Sequence, residues 1–196
     1  MNNNQKCLKF IQHKYKKNIC SECFCDYKDH TGLTLEEIEF AKYSESDNLP
    51  CYIIENIYMG SMYAALNIDK LKEYNITHVI NCAQTLSKFI PNFVEYRNDF
   101  AYLSLPMIDS LEFVITEYVK ESLKFINEAI NQNGNVFIHC AQGKSRSGCI
   151  VIAYLMNKYK ICYDDAYKIA KKGRILCNPN CNFKYQLIQM QKDGII

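Results

Sequence analysis

The chain is predicted to be an α/β protein, with a central, mostly parallel twisted sheet flanked by helices. Three observations predict it. Val136-Phe137-Ile138 is a short apolar, β-rich run of the kind that forms a strand buried on both faces. Cys149 to Tyr159 follows within a few residues and reads as an apolar helix. Upstream, Val119, Leu123, Ile126 and Ile130 fall on one helical face, Asn133-Gly134 ends that helix, and the chain runs directly into the 136–138 strand. With a strand over 101–105 ahead of the helix, the segment is a strand–helix–strand crossover, which is right-handed and joins parallel neighbours. At 196 residues and 48% hydrophobic content, the chain can bury one compact core and still carry an appendage.

That appendage is residues 1–48, read as an N-terminal extension, partly disordered. Lys6, Lys9, Lys14, Lys16 and Lys17 make its first part purely basic, and Glu22, Asp26, Asp29, Glu36, Glu37, Glu39, Glu45 and Asp47 make the next thirty residues acidic. The whole-chain charge of +2 hides this split. A basic arm can dock on an anionic surface, but an Asn/Lys-rich solvated tail is the simpler account. Thr34-Leu35-Glu36-Glu37 fits a capping box, so a short helix is expected near 35–43. Cys20, Cys23, Cys25 and His30 form one Cys-x-x-Cys without a second pair, a weak zinc signal.

From residue 49 the chain is read as a catalytic domain, and the reason is the turn between the 136–138 strand and the following helix. It reads His139-Cys140-Ala141-Gln142-Gly143-Lys144-Ser145-Arg146-Ser147. A strand-to-helix loop of this length can aim the N–H groups of Ala141, Gln142, Gly143, Lys144, Ser145 and Arg146 into one concavity, backed by the positive end of the helix dipole. A planar guanidinium at Arg146 can grip two phosphate oxygens at once. The same field favours a thiolate at Cys140, the form of cysteine that attacks phosphorus. A buried structural thiol is the bland alternative for Cys140.

A leaving alkoxide or phenoxide must be protonated as it departs, so a general acid is required. Asp109 is the candidate. It follows the 101–105 strand, Cys140 follows the 136–138 strand, and the crossover places both at the carboxyl edge of a parallel sheet, where open α/β sheets bind ligands. The alternative for Asp109 is a cap for the helix starting near Phe113. Asp99, ahead of the strand, and Glu112, in the first helical turn, fit the role less well.

These residues resemble the dual-specificity protein phosphatases, within the cysteine-based protein tyrosine phosphatase superfamily. The resemblance extends over roughly residues 49–196. Glu55-Asn56-Ile57-Tyr58-Met59-Gly60-Ser61 is similar to the family's opening strand, and Ile76-Thr77-His78-Val79-Ile80-Asn81 to its next one. Tyr102-Leu103-Ser104-Leu105-Pro106 through Asp109 resembles its acid loop, while Ala153-Tyr154-Leu155-Met156 and Asn178-Pro179-Asn180 with Phe183, Gln186 and Leu187 continue it. The resemblance implies a protein-tyrosine-phosphatase-like fold and a cysteinyl-phosphate intermediate. It also implies that Asp109 acts first as acid and then as base on the incoming water. Ser147 then hydrogen-bonds the departing thiolate, with helix N-capping as its other role. His139 is expected to bond to backbone and orient the loop. Cys82 resembles a resolving cysteine of the lipid-phosphatase branch, which implies a reversible Cys82–Cys140 disulfide under oxidant, against the plain alternative that Cys82 packs in the core.

The same reading implies no cofactor and no metal, because the positive charge comes from protein groups. Eleven cysteines around a chemistry that requires a free thiolate argue for a reducing compartment. No apolar run reaches the roughly 18 residues that cross a bilayer. No signal peptide is recognised, Asn2 stands where myristoylation requires glycine, and the last residues, Asp193-Gly194-Ile195-Ile196, hold no prenylation cysteine. A soluble cytoplasmic protein, or a nuclear one, is therefore expected. Asn75-Ile76-Thr77 matches a glycosylation acceptor but lies at a strand's start in such a chain. The expected partners are phosphorylated proteins, with no nucleic acid, no membrane insertion and a monomeric state. Two further readings remain. One is a non-protein ester, a phosphoinositide or an RNA 5′ end, suggested by Lys144 but weakened by Ala141, where lipid-directed relatives carry lysine. The other is an inactive phosphoprotein-binding scaffold, disfavoured because Cys140, Arg146 and Asp109 are all present.

Overall fold

The computed structural model of the chain describes residues 47–84 and 99–196. The helix expected near 35–43, the Cys20, Cys23, Cys25 and His30 group, the basic arm and the rim segment 85–98 with Arg97 lie outside the described residues. The chain divides into two compact units, Met1–Asn48 and Leu49–Ile196, and the second holds every described strand and helix.

Five strands make one sheet: β1 (Cys51–Ile54), β2 (Ile57–Gly60), β3 (Ile76–Asn81), β4 (Ala101–Ser104) and β5 (Asn135–His139), in the spatial order β1-β2-β5-β3-β4. Among the described strands only β1 and β2 run antiparallel, through a tight turn at Glu55-Asn56 in which Asn56 takes φ 65°. The opening strand expected over 55–61 is therefore shorter, because its first two residues make this turn. β5 is central, flanked by β2 and β3, and Val136, Phe137 and Ile138 are fully buried. The part of a strand covered on both faces must be apolar, and Val136 to Ile138 are.

The described residues form six helices: α1 (Met62–Leu66), α2 (Ile68–Glu73), α3 (Thr116–Asn131), α4 (Arg146–Tyr159), α5 (Tyr163–Gly173) and α6 (Cys181–Lys192), the last packed on α4 and α5. α3 buries Val119, Leu123 and Ile126 of the expected face and, in place of the half-buried Ile130, Ala129, and it ends where Asn133 takes φ 56°. Gly134 follows it for want of space, since a Cβ there would meet Thr77 Oγ1 at 2.5 Å. α4 buries every residue from Ser147 to Met156, and a helix apolar all round belongs in the interior. Each of its larger aliphatic side chains contributes about 1.5–3 kcal/mol on burial. The element that carries the loop's positive pole is thereby the best-anchored helix in the domain. No helix among the described residues is long and apolar enough to cross a membrane.

The parallel pairing of β3 with β4 and β5 decides where the chemistry lies. Asn81 pairs with Ser104 on one side and His139 on the other, so residues 82, 105 and 140 leave the sheet side by side at one edge. Backbone bonds from Leu105 N–H to Asn81 carbonyl (2.8 Å) and from Cys82 N–H to His139 carbonyl (2.8 Å) carry the pairing one residue further.

Candidate active site

Between the end of β5 and the start of α4 the chain turns through residues 140–145 in a tight loop, with Cys140 at its base and only 2% exposed. The carbonyls of residues 141–145 are all engaged on the loop's outside. Ala141 accepts from Met62 N–H (3.2 Å), Lys144 from Asn178 N–H (3.1 Å) and Ser145 from Cys149 N–H (2.8 Å). The Gly143 and Gln142 carbonyls accept from Arg174 Nε (2.6 Å) and Nη2 (2.9 Å). In a trans peptide a carbonyl and the next residue's N–H point in opposite directions in one rigid plane. Five outward carbonyls at 141–145 therefore turn the N–H groups of residues 142–146 inward. None of those five donates to a described residue. Gly143 makes the turn possible: its φ is +62°, and a Cβ there would overlap the Gly60 carbonyl and come within 2.7 Å of Arg174 Nη2.

The side chains around this cradle complete its charge. Arg146 opens α4, its Nη1 lies 3.5 Å from the Met107 carbonyl, and its buried Nε has no hydrogen-bond partner among the described residues. Most of its five donors are thus unspent. Ser147 Oγ lies 3.2 Å from Cys140 Sγ, and both are buried. Asp109 reaches across from the loop after β4, where its Oδ1 accepts from Ser145 Oγ (2.6 Å) and Asn180 Nδ2 (2.8 Å). Backbone donors, a guanidinium, a helix N-terminus, a thiol and a carboxyl thus gather around one loop, the equipment of a tetrahedral-oxyanion site.

The family model for the dual specificity phosphatase catalytic domain matches residues 57–193. The chain belongs to this family. It is 37% identical over 165 residues to Dual specificity protein phosphatase 1 of Arabidopsis thaliana, covering 84% of this chain and 80% of the relative. To Dual specificity protein phosphatase 9 of Homo sapiens it is 34% identical over 145 residues, covering 74% of this chain but 37% of the relative. The chain therefore spans well under half the length of that human relative. Among solved structures it is similar to DUSP15, with a TM-score of 0.67 and 28% identity, covering 75% of this chain and 90% of the other. A human tyrosine phosphatase-like serine/threonine/tyrosine-interacting protein gives a TM-score of 0.69 at 27% identity, covering 76% and 99%. The fold and the family resemblance read from the sequence both hold.

Four of the residues expected at the site, Cys140, Arg146, Ser147 and Asp109, come together around the loop. Ser147 is not a helix cap: the N-cap position of α4 is Ser145, and Ser147 sits within the first turn with its hydroxyl on the sulfur. Nor does Asp109 cap α3, whose N-cap is Ile115 with its N–H donated to Gln186 Oε1 (3.0 Å). Asp99 is occupied elsewhere, in an ion pair with Lys72 at 3.1 Å. Glu112 is exposed.

His139 is buried at the end of β5, 3% exposed. Neither ring nitrogen has a regular hydrogen-bond partner among the described residues, and the ring is held by stacking on Phe137 with centroids 5.6 Å apart. Burial pushes it down to about 4, outweighing an interaction with the Cys140 backbone that favours the protonated ring. It is a neutral packing group at pH 7. Cys82 is buried beside Cys140, and burial together with the neighbouring Cys140 sulfur pushes its thiol well up. Cys149 and Cys177 are also buried with thiols held in the neutral form by desolvation, Cys177 pushed up to about 12.

Arg174 was missed. It lies 31 residues past Gly143, with 3% exposure, and its third nitrogen, Nη1, lies 3.4 Å from Cys51 Sγ. A signal was available: the chain has only three arginines, Arg97, Arg146 and Arg174, against twenty lysines. A protein that covers its surface with lysine keeps arginine for sites that require a fork of donors.

Proposed function

We propose that the chain hydrolyses phosphotyrosine and phosphoserine or phosphothreonine in proteins through a cysteinyl-phosphate intermediate. The observation that carries this reading is the set of five inward N–H groups at residues 142–146, anchored from behind and unspent among the described residues, in the loop that begins at Cys140. Such an array binds a phosphate dianion and gains strength as charge spreads over the equatorial oxygens.

In the first step the Cys140 thiolate attacks phosphorus, the P–O bond to the leaving group breaks, and the Asp109 carboxyl gives its proton to the departing oxygen. The Arg146 guanidinium and the loop amides hold the three non-bridging oxygens. In the second step the Asp109 carboxylate takes a proton from water as that water attacks phosphorus. The S–P bond breaks, inorganic phosphate leaves, and Ser147 Oγ, 3.2 Å away, donates to the returning thiolate. The substrates would be phosphorylated proteins, met by a monomer, without a role for nucleic acid.

Turnover of an aryl phosphate tests the reading. It should vanish in Cys140→Ser, and Asp109→Ala should lose about 10²- to 10⁴-fold on a poor leaving group. Phosphotyrosyl peptide, phosphothreonyl peptide and phosphoinositide vesicles, assayed side by side, rank the substrate classes. Faster hydrolysis of the lipid would overturn the protein-substrate reading, and no turnover of any of them would leave a binding scaffold.

A further inference from the structure

Asp109 lies in a stretch between β4 and α3 that has no regular secondary structure, whereas a reacting carboxyl must be held to within about 0.5 Å. The support comes from the N-terminal end of α6. Asn182 Nδ2 donates to the Phe113 carbonyl (2.9 Å) and approaches the Ser110 carbonyl (3.5 Å). Gln186 Nε2 donates to the Phe113 carbonyl (2.7 Å), while Gln186 Oε1 accepts from Ile115 N–H (3.0 Å). These bonds fix the loop's backbone.

Asn180 acts on the carboxyl itself. Its Oδ1 caps α6 by accepting from Phe183 N–H (2.9 Å), and its Nδ2 donates to Asp109 Oδ1 (2.8 Å). Its backbone N–H donates to Ser145 Oγ (3.1 Å), and that hydroxyl donates to the same Asp109 Oδ1 (2.6 Å). A serine hydroxyl has one proton, and because it accepts from the Asn180 amide, its own proton is free to face Asp109. Asn180 thereby sets both donors on Oδ1, one directly and one through Ser145. Among the described residues nothing donates to Oδ2. An oxygen that already accepts two hydrogen bonds is the poorer site for a proton, so protonation falls on Oδ2.

We propose that Asn180 is a positioning residue for the general acid, pinning Asp109 Oδ1 to the phosphate-binding loop so that Oδ2 carries the transferred proton. The proposal rests on the reading of Asp109 as that acid.

Two substitutions separate this role from helix capping. Asn180→Asp keeps the capping acceptor, loses the Nδ2 protons and sets a second carboxylate against Asp109. Asn180→Ser caps through Oγ and loses the same protons without adding charge. Both keep the backbone N–H on Ser145. Each would be assayed, with the wild type and Asp109→Asn, on aryl phosphates of rising leaving-group basicity, from 2,4-dinitrophenyl to phenyl phosphate, and melted thermally. Both Asn180 variants should lose roughly ten- to a hundredfold in kcat/KM, which reports the leaving-group step alone, on phenyl phosphate and less than about threefold on the dinitrophenyl ester, whose departure requires little proton donation. An equal loss along the series, or none, would overturn the positioning role, as would failure of both variants to fold. If Asp109→Asn itself showed no dependence on the leaving group, the assignment of the acid would fall, whatever the Asn180 variants did.

Discussion

Arg174→Lys isolates what the guanidinium does to the phosphate-binding loop. The wild-type side chain gives the Gly143 and Gln142 carbonyls one donor each, at 2.6 and 2.9 Å, from a position only 3% exposed. An ammonium retains the charge but is a single point on a flexible stem, and it can serve one of the two carbonyls well. One charge-assisted hydrogen bond is lost and one buried carbonyl is left short, so the cost is about 1.5–3 kcal/mol. For a domain of this size that lowers Tm by about 4–10 °C. The catalytic consequence follows from the same peptide planes. A freed carbonyl at 142 or 143 lets the N–H of Gly143 or Lys144 turn out of the cradle. Complete loss of one oxyanion donor costs about 10²–10³ in kcat, so a loosened one should cost roughly ten- to a hundredfold. Inhibition by inorganic phosphate or vanadate should weaken alongside, because the same amides bind them. Differential scanning calorimetry, steady-state kinetics and the inhibition constant check the three parts. A variant with Tm within about 1 °C of wild type and kcat/KM within about twofold would refute the clamp.

Gly143→Ala should abolish most activity and destabilise, since an L-residue at φ +62° costs about 1–2 kcal/mol and the new methyl overlaps the Gly60 carbonyl. Gly194→Ala, at φ +70° with nothing within 4 Å, should show the backbone cost alone, with kcat/KM unchanged; equal effects on kcat/KM at both positions would refute the steric argument. His139 stays neutral in the fold to about pH 4, whereas the unfolded chain takes up a proton near 6.5. Its contribution is therefore fully present above pH 6.5 and declines towards pH 4, by about 3 kcal/mol in all. His139→Gln should lose less stability than wild type between pH 7 and 4 by denaturant titration, and parallel losses would reject the assignment. Cys82 and Cys140 follow the paired residues Asn81 and His139 on adjacent strands, about 4.8 Å apart, within the span a disulfide bridges. Peroxide should convert Cys140 to a sulfenic acid that condenses with the Cys82 thiol, releasing water. Peptide mass mapping should then find the crosslink and thiol should restore activity; irreversible loss without a crosslink would exclude it.

The signature loop was legible because its requirements are local. A strand must precede it, a helix must follow, and the thiol, glycine and guanidinium must sit at fixed offsets within nine residues. Asp109 was legible at one remove, since the helical period of α3 shows that the chain crosses back over the sheet and a parallel register follows. α1 and α2, at five and six residues, are too short for a period to show, and β1 forms only because Asn56 lets the chain fold back on β2. The setting of the His139 ring has the same root. Its neighbours in sequence suggested a polar role in the loop, but β5 turns its ring inward against Phe137, two residues back on the same face.

By itself the sequence determined the fold class, the loop and the four side chains that meet over it, because short-range spacing and alternation encode strand, turn and helix directly. Only the tertiary structure decided what holds those groups in place. Arg174 comes to the loop from the end of α5, 31 residues downstream of Gly143, and Asn180 to the acid from the start of α6, 71 residues downstream of Asp109. Those encounters depend on how α4 and α5 pack against the sheet, and packing is a property of the whole core that no local window of residues contains.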